Sequence, residues 1–382
     1  SPCTPQNGYS AGLLRKFPST RNFPSGAWER MWKSCYKNMD MKKPNLSRRD
    51  FLKLSASGAL GLVLSELGID RALAAPPASQ GRVTWSGVPL YDAPSFKAKE
   101  MHLFGIDQVV NLKAEVEGDE GYGNPFNKAW FQVDDGYTYS GWLQPVETKH
   151  QKPVYKIPSE GQLGEITVPM SETRLIPYTY AKNGYRLYYG STHWVKKVVV
   201  TREEKSIWYE IFDNEIKKYF YVPYYNMRLV PPEELTLLSP DIPESEKLIH
   251  VDLATQLVTA FEGDTMVFSS RCSSGSKGTR TPTGEFLTYH KGPSIHMTNQ
   301  DEDGSENYYH LPGVPWCSFF TGYGNAFHGT YWHNDYGRPR SHGCVNLKSE
   351  DAKWLYRWSR PNVPSGEDYL HLPGEGTRVQ IV

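Results

Sequence analysis

The sequence has little that would hold it in a bilayer and no net charge to commit it to a polyanion. No apolar run reaches the ~20 residues of a membrane span; the stretch from Leu54 to Leu64 is broken by Ser55, Ser57, Gly58 and Gly61. Among the 382 residues 42 Lys/Arg balance 42 Asp/Glu. The balance is uneven, with twelve basic and five acidic side chains in residues 1–74, which leaves residues 75–382 a formal charge of −7. A body of that sign is a poor partner for nucleic acid. Gly (33) and Pro (28) follow no collagen-like or low-complexity period. What is present, 38% hydrophobic and 13% aromatic residues, is enough for two or three domains with real cores and excludes disorder throughout. The 25 Tyr and 11 Trp favour β structure over a mostly helical protein.

The positive excess at the front has an order. Lys42 and Lys43 lead into Ser47-Arg48-Arg49-Asp50-Phe51-Leu52-Lys53, the short apolar stretch follows, and Ala72-Leu73-Ala74 supplies a small-x-small cleavage pattern. Residues 41–74 thus resemble a twin-arginine signal peptide, which implies export in the folded state, cleavage after Ala74 and no stable membrane anchor afterwards. Met41 or Met39 then reads as the start, and residues 1–40, with Cys3 and Cys35, as an upstream extension or poorly structured prefix. The exported chain keeps Cys272, Cys317 and Cys344, an odd count that leaves at least one thiol free. Cys272 and Cys317 are either a bridge or two buried thiols.

Past the leader, short strands alternate with Asp, Gly and Pro breaks: Val88-Pro89-Leu90-Tyr91, Gln108-Val109-Val110-Asn111-Leu112, and Trp130-Phe131-Gln132-Val133 before Asp134-Asp135-Gly136. A similar kernel, Trp208-Tyr209-Glu210-Ile211, follows 78 residues on. Both segments resemble bacterial SH3-like domains, which implies modules at 81–150 and 151–228 that sit in front of a wall enzyme. A Pro-rich linker is expected at 229–246, then a third domain over 247–382. That domain should open with a hairpin around Ala254-Thr255-Gln256 and close with a strand at 378–382. Its one helix is expected to be capped by Ser349, to start with Glu350 and Asp351, and to bury Trp354, Leu355 and Trp358 before Pro361.

The chemistry concentrates between Phe327 and Leu347. His328, His333, Asp335, His342 and Cys344 fall within seventeen positions, but the spacing fits no compact Cys/His finger and His-Glu-x-x-His is absent, so no metal is expected. A thiol is mostly protonated near neutrality, and a cysteine nucleophile needs an imidazole beside it to take its proton and later return it to the leaving group. Gly343 permits a tight backbone whose amide, with that of Cys344, can aim at an oxyanion. The excursion between His328 and Cys344 is expected to be hairpin-like.

His328-Gly329, then Ser341-His342-Gly343-Cys344-Val345-Asn346, together with Thr281-Pro282-Thr283-Gly284-Glu285-Phe286, resembles the signature of the YkuD-type L,D-transpeptidases, over residues 247–382. The resemblance implies a mainly β protein, two small SH3-like barrels followed by a YkuD-type β-sandwich with one short helix. It makes Cys344 the nucleophile and His328 the proton donor and acceptor, held by a main-chain carbonyl, with His342 supporting. Tyr331, Trp332, Arg338, Asn346 and Ser341 become candidates for substrate contact, Asn346 alternatively a brace for the loop, and Pro293-Ser294-Ile295-His296-Met297 a lid. The implied partner is a peptidoglycan stem peptide, cross-linked through its third residue with release of D-Ala, and no cofactor is needed. An L,D-carboxypeptidase and a catalytically silent wall-binding protein remain alternatives, and the oligomeric state stays open.

Overall fold

The computed structural model describes residues 78–299 and 309–382. The expected signal peptide and prefix, with Cys3 and Cys35, lie outside the described residues. Among the described residues no helix is long and apolar enough to cross a membrane.

Residues 80–146 form seven short strands that turn their apolar side chains inward. They hydrogen-bond in the order Glu100–Phe104, Val88–Tyr91, Gly136–Tyr139, Ala129–Val133, Val109–Glu117, Gln80–Val83, Leu143–Val146. Residues 162–229 repeat that order strand for strand: Asn183–Tyr188, Met170–Arg174, Lys218–Pro223, Ile207–Asp213, Thr192–Val200, Gln162–Ile166, Met227–Leu229. The kernels at Trp130 and Trp208 fall on the same strand of the repeat, and both tryptophans are buried. Each sheet is also narrowest at the same junction, held by a single residue pair, Tyr91–Tyr137 in one and Tyr221–Arg174 in the other. Separate cores form around Val83, Phe131 and Leu143, and around Val195, Tyr209 and Val222.

The predicted linker is no free tether. Its turns Pro232–Leu235 and Glu244–Glu246 lie against the third domain because Glu234 pairs with both Arg228 and Lys353, and the Leu238 amide donates to Arg357 O at 2.9 Å. Proline content reported the lack of helix and strand there, not a lack of contacts.

The third domain is a sandwich of two five-stranded sheets. One runs Thr265–Arg271, Leu257–Glu262, Lys247–Asp252, Arg378–Ile381, Gly284–Leu287; the other runs Val345–Leu347, Ala326–Gly329, His310–Phe319, His290–Thr298, Leu370–His371. The opening hairpin forms as expected, with Asp252 Oδ1 accepting the amides of Ala254 at 2.8 Å and Thr255 at 3.1 Å in its turn. The closing strand lies parallel to the opening one. Val251, Val258, Phe327, Val345, Leu355 and Trp358 meet in the core between the sheets.

Helix α1, Ser349–Trp358, is preceded by Lys348, and no side chain caps it. Ser349 is therefore its first residue and not its cap. Ala352, Leu355, Tyr356 and Trp358 form its buried face, whereas Trp354 stays half-buried, stacked on Phe268 at 4.5 Å and on Trp358 at 5.6 Å. At the other end two buried lysines serve the carbonyls that every helix leaves unpaired. Lys291 Nζ donates to Tyr356 O and, at 2.7 Å, to Ser359 O, and Lys247 Nζ donates to Trp358 O at 3.0 Å. Lys291→Met fills the same space without the donors. It should cost about 2 kcal/mol, roughly 4–8 °C in Tm, and a thermal melt that does not move would show that these bonds contribute nothing.

Candidate active site

Two short strands position the candidate pair. Ala326–Gly329 and Val345–Leu347 lie parallel, with Phe327 opposite Val345 and His328 opposite Asn346. Residues 330–344 are therefore a crossover connection and not the hairpin expected, because a hairpin returns antiparallel. Cys344, the residue before Val345, lies level with Ala326. Alternation along the ladder then puts Cys344 and His328 on one face, two positions apart.

His328 is 2% exposed, and its Nδ1 lies 3.0 Å from Gly329 O. A carbonyl only accepts, so Nδ1 carries the proton and Nε2 keeps a free lone pair. Burial lowers the pKa of His328 to about 4. The Cys344 thiol, partly exposed, donates to Gly324 O at 3.6 Å. Burial pushes its pKa up to about 11, against the opposing effect of the Ala326 amide. At neutral pH the imidazole and the thiol are thus both neutral.

The buried imidazoles also set an acid limit on folding. His328 and His193, the latter lowered to about 3 by burial, stay neutral in the fold while the unfolded chain takes up protons below about 6.5. The unfolded state then binds more protons, and stability falls as pH drops from about 6.5 towards 4, by up to ~1.4 kcal/mol per pH unit per histidine. Denaturant titrations at pH 7.5 and 5 check this; equal or greater stability at pH 5 contradicts it.

The turn before the thiol is held from three sides. Gly343 has φ +114, and a Cβ there would lie 2.4 Å from Asn325 Nδ2, so both strain and space demand glycine. Ser341 Oγ accepts the Gly343 amide at 3.0 Å and donates to Cys344 O at 2.5 Å. Thr281, from the Thr-Pro-x-Gly-x-Phe element, donates its Oγ1 to Gly343 O at 2.9 Å and accepts the Gly275 amide at 2.8 Å. Two expectations change. Ser341 is buried and braces backbone, so it does not face substrate, and the Gly343 amide is already bonded to it and is not directed at an oxyanion.

The crossover also reassigns residues. Tyr331 is buried, donates its OH to Pro312 O at 2.9 Å and stacks on Tyr188 of the second module at 5.4 Å; it packs the loop and is no channel wall. Arg338 bonds Asp335 Oδ2 at 2.6 Å and Tyr122 O of the first module, which ties it to the scaffold while leaving it partly exposed. Asn346 is buried against His333, 2.9 Å away. The Asp335 amide donates to His333 Nδ1 at 3.3 Å, and on the other side of the ring Asn346 Nδ2 lies 2.9 Å from Nε2. Asn346 is accordingly a brace and not a substrate contact. The expected lid is a strand docked on the second module, where Thr192 Oγ1 donates to Pro293 O at 2.7 Å and His296 Nδ1 meets Asp213 Oδ2 at 2.8 Å.

Of the predicted wall residues, half-buried Trp332 lies beside His328 with its ring 5.7 Å away; His342, expected in a supporting role, is exposed and lies against Tyr309 at 5.4 Å. Tyr323, 93% exposed and adjacent to the Gly324 carbonyl that faces the thiol, was not picked out from the sequence; nothing in its composition or spacing marks it. Nor was Asp335 as a structural centre, although Arg338 and Arg340 nearby were a signal. Cys272 and Cys317 are buried free thiols, not a bridge. The five potential ligands diverge, since His333 turns to Asn346 and Asp335 to the arginines.

Residues 246–381 match the family model YkuD, the L,D-transpeptidase catalytic domain. No curated protein matches the chain. Among solved structures, an L,D-transpeptidase of Enterococcus faecium is 22% identical over 36% of this chain and 50% of its own, with a TM-score of 0.29. One of Xylanimonas cellulosilytica is 27% identical over 36% and 60%, at 0.26, and one of Mycobacterium smegmatis 17% identical over 49% and 81%, at 0.30. The chain spans about half the length of the first of these structural matches. At such TM-scores the superpositions carry no weight of their own; the family model does.

Proposed function

We propose that the protein is an exported L,D-transpeptidase that acts on peptidoglycan stem peptides through a thioester on Cys344. The observation that carries this reading is the parallel pairing of Ala326–Gly329 with Val345–Leu347, which sets the buried imidazole of His328 and the thiol of Cys344 on one face within the matched domain. In the first half-reaction the sulfur attacks the carbonyl between the third stem residue and D-Ala while Nε2 of His328 takes the thiol proton. The C–N bond breaks, and the same proton leaves with the D-Ala amine. An amine from a second stem then attacks the thioester, the C–S bond breaks, and the thiol is restored.

Because both groups are neutral at rest, proton transfer accompanies attack and no stored thiolate is required. With the Gly343 amide taken by Ser341, the Cys344 amide is the backbone donor assigned to the developing oxyanion. Trp332, His342 and Tyr323 are the side chains assigned here to substrate contact, on their exposure and their nearness to His328 or Cys344 in space or sequence. The twin-arginine pattern at Ser47-Arg48-Arg49 and the apolar stretch after it support export, and the site would then face the wall outside the cytoplasm.

Incubation of the protein with a disaccharide-tetrapeptide, followed by mass analysis of the products, tests the reading. Dimeric muropeptide with free D-Ala supports it. Tripeptide without dimer reassigns the site to carboxypeptidase chemistry, and intact tetrapeptide overturns the enzymatic reading in favour of wall binding.

A further inference from the structure

We propose that the first seven-stranded module is part of the active-site scaffold: its Tyr139 and Asn124 hold Asp335, and Asp335 is a positioning residue for the loop that ends in Cys344. The inference rests on the catalytic reading above and adds a role for the module that wall binding does not require.

Asp335 sits in the middle of the crossover and is 1% exposed. Its Oδ1 accepts Asn124 Nδ2 at 2.7 Å and the Tyr139 hydroxyl at 2.8 Å, while Oδ2 accepts Arg338 Nε at 2.6 Å and Arg340 Nη1 at 3.0 Å. A carboxylate buried so deeply is strongly unfavourable unless its lone pairs are met, and here two donors come from the module and two from the limb of the loop that leads to Cys344. The carboxylate therefore pins that limb to the module. Gly141 makes the approach possible, since a Cβ on it would lie 2.8 Å from Asp335 Cβ.

The other limb is gripped as well. Arg82, buried on the module's first strand and paired with Asp107 at 2.7 Å, donates to Tyr331 O. From Asp335 the bonds continue inward, its amide to His333 and His333 to Asn346, the residue opposite His328. Both ends of the catalytic loop are thus referenced to residues about 200 positions earlier in the chain. A shift on the order of 1 Å in such a loop costs about 10²-fold in rate.

Asp335→Asn and Tyr139→Phe, made in the whole protein, test the claim. The charged groups around the loop are Arg338 and Arg340, the Arg82–Asp107 pair at Tyr331, and Glu350 and Asp351 near Tyr336, with the neutral imidazoles of His328 and His333 among them. Asp335→Asn should lower kcat by about tenfold or more and Tyr139→Phe by a smaller factor, with KM within about twofold. The acidic limb of kcat/KM should rise from near pH 4 towards 6.5 as water reaches His328. Iodoacetamide alkylation of Cys344 at pH 7, read by intact mass, should change by about threefold or more in Asp335→Asn.

A module that only braces the fold would lower Tm and leave kcat, the acidic limb and the alkylation rate unchanged; that result overturns the inference. If the unaltered protein releases no D-Ala, the catalytic reading fails instead, and the alkylation comparison alone decides whether Asp335 positions the thiol.

Discussion

Cys344→Ala is expected to reduce D-Ala release from a tetrapeptide stem by at least ~10³-fold, to the level of buffer, because the covalent route has no substitute nucleophile. The other two described thiols cannot serve. Cys272 and Cys317 are fully buried, and burial raises the pKa of Cys272 to about 12 and that of Cys317 well above the ordinary range. The fold should tolerate the change, since the thiol makes one long bond to Gly324 O; a loss under about 1 kcal/mol is expected. Chromatographic assay of free D-Ala beside a thermal melt separates the two effects, and a folded variant with residual turnover above a hundredth of the parent's contradicts the assignment.

His328→Gln should cost about 10²–10⁴-fold in the acylation step, with KM little altered. The magnitude follows from the resting state of the pair. With the thiol raised to about 11, only about one molecule in 10³–10⁴ holds thiolate at neutral pH, so attack depends on the base. Glutamine can keep a bond to the Gly329 carbonyl but offers no basic nitrogen. Its activity should therefore climb with pH as free thiolate becomes common, whereas the parent's rate stays level over the middle of the range. A variant that keeps more than a tenth of the parent rate at pH 7.5, or shows the parent's pH profile, would remove His328 from the proton transfer.

The elements legible in the sequence were those decided locally. Period-two alternation at Ile249, Val251 and Leu253 before Ala254-Thr255-Gln256 gave the opening hairpin, and the acidic start with Trp354, Leu355 and Trp358 gave α1. The Trp130 and Trp208 kernels marked a repeat whose strand order turned out identical. His328 and Cys344 stood out through the resemblance of His328-Gly329 and Ser341-His342-Gly343-Cys344-Val345-Asn346 to a family signature.

What stayed hidden depends on distant partners. Tyr331, Arg338 and Ser341 are polar residues of a loop and Asn346 lies on the strand that follows it, and such residues line a channel only if nothing covers them. Here Tyr188, Tyr122 and Arg82 cover the loop from other modules, and a bond such as Tyr139 to Asp335 spans 196 positions. No local pattern carries that information. The direction of the strand that follows Cys344 was hidden for a related reason, because a connection of fifteen residues can close a long hairpin or a parallel crossover equally well.

The central claim is a covalent acyl group on Cys344, and intact-mass spectrometry of the protein seconds after mixing with a tetrapeptide stem addresses it most directly. A species heavier by the stem less D-Ala, mapped to Cys344 by peptide digestion and absent from Cys344→Ala, is the predicted result. Release of D-Ala with no adduct on Cys344, or an adduct on any other side chain, would contradict it.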